Sequence, residues 1–65
     1  MNVTGITNYV NVAGVETALV IIKPILKPSF KRRVCRKAGG DWFFLKDGKL
    51  CPKRVAELAR IESVK

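Results

Sequence analysis

The chain has 65 residues, enough for one small domain that buries only about 60% of its unfolded surface, which excludes a multi-domain enzyme. Thirteen Lys and Arg against five Asp and Glu give a net charge of +8, while 48% of the residues are hydrophobic. Such a chain is too apolar for a polar disordered tail and too basic for a neutral globule, so it points to binding of an anionic surface rather than to turnover.

Residues 1–8 are short, polar and weakly patterned, with Gly5 and Asn8 as breakers, and read as an N-terminal arm or an edge strand that needs something to lie against. Residues 9–26 read as an apolar docking segment. Within it Val12, Val15, Leu19, Ile22 and Leu26 recur at three-or-four spacing, which predicts a helix from about Val12 to Lys23. The run Ala18-Leu19-Val20-Ile21-Ile22 is apolar on every side and largely β-branched, so a buried strand is the alternative there. Pro24 and Pro28 end the regular element and make 24–30 a connector.

Residues 27–65 read as a small basic β-β-β-α module. Lys31 to Lys37 is a strand, Ala38 to Asp41 a turn and Trp42 to Leu45 a second strand. Asp47-Gly48 predicts a two-residue hairpin that sets Lys46 beside Lys49 and Phe44 beside Cys51. Pro52 is suited to the first helical position, and Val55, Leu58 and Ala59 form the apolar stripe of a short helix in which Lys53 and Glu57 are an i,i+4 pair. The expected fold class is therefore α+β: an N-terminal apolar helix, with a strand as the alternative, a short β-meander or hairpin module, and a C-terminal amphipathic helix. Val55-Ala56-Glu57-Leu58-Ala59-Arg60-Ile61 resembles the first helix of a repressor-type helix-turn-helix over those seven residues. No second helix follows it, and no role is carried over from the resemblance.

Charge is segregated along the chain. Residues 1–22 hold one charge, Glu16, whereas residues 23–65 hold thirteen cations and four anions, a difference of +9. From Lys23 to Lys37 seven cations occur with no acid between them, so an external anion is their natural partner. The candidate nucleic-acid or anion-binding residues are Lys27, Lys31, Arg32, Arg33, Arg36, Lys37, Lys53 and Arg54. If about four to six phosphates are engaged, log affinity should fall with log salt at about −0.9 per contact on duplex DNA. Strand alternation puts Trp42 and Phe44 on the core face and leaves Phe43 as the exposed ring able to stack a base.

Little else in the chain suggests chemistry. There is no His, which removes the usual general base and most metal ligand sets, and the carboxylates are scattered, with Asp41 and Asp47 at turns. No cofactor and no metal are expected. Gly39-Gly40 lacks the residues of a phosphate loop. Positive charge follows the apolar run instead of preceding it, so no secretory signal is expected, synthesis is cytoplasmic, and Cys35 and Cys51 are read as thiols, with a disulfide between them as the alternative.

The function expected from these features is a non-enzymatic structural subunit of a larger assembly, of virion or ribonucleoprotein type. It docks on other protein subunits, homo- or hetero-oligomeric, through Val12, Val15, Leu19, Ile22 and Leu26, and binds nucleic acid through its basic block. The alternative is a small membrane-associated protein, a virion or inner-membrane component, with the apolar segment in or on an anionic bilayer. As a helix, Tyr9 to Leu26 would be about 27 Å long against a hydrocarbon core of about 30 Å, with Glu16 near the middle at a cost of roughly 2.5–3.5 kcal/mol, which disfavours a span. A compact regulator that binds an acidic protein surface ranks third.

Overall fold

Between Val3 and Ile22, eleven of twenty residues are Val, Ile or Thr, side chains that pack well on a pleated surface and restrict a helix. In the computed structural model, which describes residues 2–65, this stretch is an antiparallel hairpin of β1 (Val3–Val12) and β2 (Val15–Ile22). The N-terminal helix expected over 12–23 does not form. The residues that suggested it are not one helical stripe: Val12 and Val15 are on separate strands, opposite each other across the hairpin and on the same side of the sheet as Leu19, whereas Ile22 points to the other side. Leu26 is in the loop that follows. Ala13 and Gly14 close the turn, both at positive φ (52° and 85°), as a primed two-residue hairpin loop requires. The Asn11 Oδ1 accepts a 3.1 Å hydrogen bond from the Gly14 amide.

Two irregularities in β1 decide which of its side chains meet the core. Pairing shifts between Val3 and Gly5 and again between Thr7 and Val10, where Asn8 adopts φ 56°. Each inserts an extra residue opposite β2 and re-aims the side chains that follow. As a result Val3, Ile6 and Tyr9, three residues apart, all pack with the core.

The sheet continues with β3 (Phe30–Arg36) and β4 (Phe43–Phe44) in the order β1-β2-β3-β4. One sheet thus runs across the boundaries expected at 8/9 and 26/27. The turn after β4 differs from the expected two-residue loop. Phe43 bridges Leu50, the Phe44 amide donates to the Lys49 carbonyl and the Gly48 amide to the Phe44 carbonyl. The loop is therefore the four residues 45–48, with Gly48 at φ 72° and the Asp47 carboxylate accepting from the Lys49 amide at 2.9 Å. A longer loop lets a right-handed turn end in one left-handed glycine.

The helix α1 (Lys53–Ser63) starts directly after Pro52, which is its N-cap. It lies on one face of the sheet, on the β1 side. Val55 and Ala59 join Val3, Ala18, Val20, Ile22, Val34, Trp42 and Phe44 in the core. Within the helix the ion pair is Arg54–Glu57 at 3.8 Å, and Lys53 and Glu57 are not paired. With a single helix of eleven residues, only one side of the sheet is covered.

Ala13 is the one strained position in the first turn, since an alanine at positive φ carries a penalty of roughly 1–2 kcal/mol. Asn tolerates this region without the unfolded-state entropy of Gly. Ala13→Asn should raise stability by about 0.5–1 kcal/mol, or about 4–8 °C per kcal/mol for a domain of this size, measured by thermal denaturation.

Candidate nucleic-acid interface

Alternation along β2 and β3 sorts the basic block by face. Ala18, Val20 and Ile22 point to the helix side, so Thr17, Leu19 and Ile21 point to the opposite, open side. Their partners on β3 are Cys35, Arg33 and Lys31, and Cys35 is opposite Phe43 on β4. On β1, Val10 is opposite Thr17, and Thr7 is opposite Leu19. The open face therefore carries Lys31 and Arg33, both exposed, and the Phe43 ring, 41% exposed. Val10, Val12 and Val15, also exposed, occupy the hairpin end of the same face. None of these residues is acidic.

The other cations are placed differently. Arg32 faces the helix side at the loop end and sits over the Phe30 ring, 4.4 Å from its centroid, a cation–π contact. Lys27 is in the β2–β3 loop, and Lys37 follows the end of β3. Lys53 and Arg54 form the first turn of α1, at the positive end of the helix dipole. Lys53 borders an open groove between the helix and the hairpin end of the sheet, together with Glu16, Arg36 and Trp42. Lys31 and Arg33 are the two candidates that share the open face.

Arg36 is already engaged. Its Nη1 is 2.7 Å from Glu16 Oε2, and its Nε donates to the Gly40 carbonyl at 2.8 Å. The other oxygen of Glu16 accepts from the Tyr9 hydroxyl. Glu16 is only 12% exposed, so its charge is held by these two partners rather than by water. The hydrogen bond to Glu16 raises the Tyr9 pKa above 10.0; burial and the neighbouring carboxylate charge add to it, while Asn11 and Arg36 oppose it. This triad was not legible in the sequence, because Glu16 and Arg36 are twenty residues apart and only the strand register joins them.

Of the expected docking residues, Val12 and Val15 are exposed on the open face and Leu19 is half-buried there. Ile22 is core at 3% exposure, and Leu26 is almost fully exposed in the β2–β3 loop. Its neighbour Ile25, which the spacing argument passed over, is exposed to the same degree; its signal was a pair of large aliphatic residues set between two prolines and two lysines.

Cys35 and Cys51 are free thiols. Burial pushes the Cys51 thiol up to about 11, with smaller contributions from Cys35 and Asp47, so at neutral pH it is a packing residue and not a nucleophile. Among the described residues no three His, Cys, Asp or Glu side chains are grouped as a metal site needs. Among them, too, no helix is long and apolar enough to cross a membrane. Compared with family models, curated proteins and solved structures, the chain matches none.

Because Tyr9 is the sole tyrosine, absorbance of the phenolate reads its titration directly. The midpoint should lie above 10.0 and move back toward it in Glu16→Gln. The folded state holds the phenolic proton more tightly than the unfolded state, so this contribution to stability is complete below pH 10.0 and is lost as pH rises through the folded value. Separately, Arg36→Ala should cost about 1–2 kcal/mol in denaturant unfolding, by leaving the Glu16 carboxylate without its cation.

Proposed function

We propose that the protein is a non-enzymatic, nucleic-acid-binding subunit of a larger assembly, which contacts single-stranded nucleic acid with the open face of its sheet. The observation that carries the reading is the set Lys31, Arg33 and Phe43 on one uncovered face that holds no carboxylate. A guanidinium and an ammonium suit two successive phosphates, and the exposed ring suits a base from the intervening nucleotide. A flat sheet surface does not fit a duplex groove as a helix or two-stranded ribbon does, so a strand with unstacked bases is the better match. The exposed Val10, Val12 and Val15 at the hairpin end would meet other protein subunits, since an exposed apolar patch of this kind suits a protein contact.

The reading predicts modest affinity and a shallow salt dependence. With Lys31 and Arg33, or with Lys37 as a third contact, log affinity for a single strand should fall with log salt at a slope of about −1.4 to −2.1. That is well below the slope expected for about four to six contacts, because β3 turns part of its charge to the other face. Fluorescence anisotropy with a labelled oligonucleotide should show a loss of about tenfold or more for Lys31→Ala with Arg33→Ala, and about fivefold or more for Phe43→Ala. Unchanged binding in the double variant would overturn the proposal.

A further inference from the structure

Residues 23–29 connect β2 to β3, and the two large aliphatic side chains at their centre touch almost nothing. Ile25 is 97% exposed and Leu26 94%, more than any other large hydrophobic residue among those described. An aliphatic pair in a mobile surface loop would ordinarily fold back on the nearest apolar surface. Here the backbone is restrained on both sides. Pro24 and Pro28 fix φ around the pair. The Lys23 amide donates to the Asn2 carbonyl at 2.9 Å, extending the β1–β2 ladder past Ile22, and the Lys23 ammonium donates to the Lys27 carbonyl at 3.2 Å.

The surroundings of this tip are cationic. Lys23 and Lys27 flank it in the loop, and Lys31 and Arg32 begin the strand that follows. Lys46 lines a shallow depression with Arg32 and Phe30 at the same end of the sheet. No carboxylate occurs between Glu16 and Asp41. Asp47 also lines that depression, and its carboxylate accepts from the Lys49 amide. Two almost fully exposed aliphatic side chains flanked in the loop by Lys23 and Lys27 match an apolar layer beneath a layer of negative charge. That is the profile of an anionic lipid leaflet, in which lysine stems lie along the hydrocarbon boundary and their charges stay with the headgroups. Neither aliphatic side chain offers a flat face to stack on a nucleotide base, so the tip is not an extension of the open-face site.

We propose that the β2–β3 loop is a membrane-contacting tip, which inserts Ile25 and Leu26 into the interface of an anionic bilayer while Lys23 and Lys27 hold headgroup phosphates. Contact is peripheral: only the tip enters, and the sheet and α1 remain outside. This inference does not rest on nucleic-acid binding by the open face: the residues that would enter or hold the leaflet are Lys23, Ile25, Leu26 and Lys27, none of which is on that face, and Lys31 alone is near both.

The test is co-sedimentation of the intact protein with phosphatidylcholine vesicles, with and without about 30% phosphatidylserine, at about 0.1 M salt. Binding is expected to the mixed vesicles and not to phosphatidylcholine alone. Ile25→Ser with Leu26→Ser should weaken it about tenfold or more, and Lys23→Ala and Lys27→Ala about fivefold each. Circular dichroism and thermal denaturation should show each variant folded like the parent. In Leu26→Trp, brominated acyl chains should quench emission beyond any change at Trp42 in the parent. Failure of the parent to bind, or equal binding by the serine variant, would overturn the proposal; equal binding would mean adsorption by charge alone. A parent that self-associates through the tip, becomes monomeric in the serine variant and ignores vesicles would overturn it in favour of a contact between copies.

Discussion

The constraint on which the structure depends is coverage. A four-stranded sheet has two faces, and among the described residues one helix of eleven residues is there to shield them. The apolar residues that complete a core, from Val20 and Val34 to Trp42 and Val55, are all committed to the helix side. Every outward residue of the central strands is therefore exposed or half-exposed by geometry and not by composition. That a face is open follows from topology. What it presents follows from β3, whose alternation sends Lys31 and Arg33 out and turns Arg32 and Arg36 inward.

The inward cations show how the fold accommodates a strand this basic. Arg36 faces the helix side with its side chain 36% exposed, and Glu16, the only acid in the first forty residues, lies directly opposite it. Tyr9 reaches the same carboxylate because the bulge at Asn8 turns its ring to the helix side. An extra residue in β1, one acid in β2 and one arginine in β3 thus close a single network across three strands. Arg32, with no acid opposite, has the Phe30 ring instead. The outward pair has neither, and for that reason it is the part of the basic block left to meet an external anion.

How much of this was legible in the residues depends on the range of the interaction. Trp42 and Phe44 inward with Phe43 outward follow from alternation alone, and the C-terminal helix follows from Pro52 and the Val55/Leu58/Ala59 stripe. In residues 1–8 two bulges break the alternation that would mark a strand, and the spacing that suggests a helix over 12–23 runs across a turn whose Ala13-Gly14 lacks the Asn or Asp that usually marks a primed loop. Local periodicity favoured a helix there; pairing of β2 on both sides, which no window of sequence contains, outweighed it. The Asp47-Gly48 turn was located correctly and its length was not, since loop length is set by the register of Phe43 with Leu50. The tip at Ile25 and Leu26 was hidden by treating Leu26 as the end of a helical stripe, although flanking prolines and lysines mark it as a separate feature.

On the proposed reading, two or three phosphate contacts per chain have a consequence for how such a protein would work. A single copy with so few contacts binds a strand weakly and loses little to salt. Several copies on one strand would convert each later contact into an intramolecular one, and avidity could then exceed the single-site affinity by about two orders of magnitude or more. This requires that copies meet without covering Lys31 and Arg33. The exposed valines lie at the hairpin end, whereas Lys31 lies near the opposite end of its strand, opposite Ile21. Contact between subunits at Val12 and Val15, four residues along β2 from the Leu19–Arg33 pair and six from Ile21–Lys31, leaves both cations free, so on the proposed reading the weakness of the individual site and the apolar hairpin end are parts of one design: a subunit that holds nucleic acid well only in company.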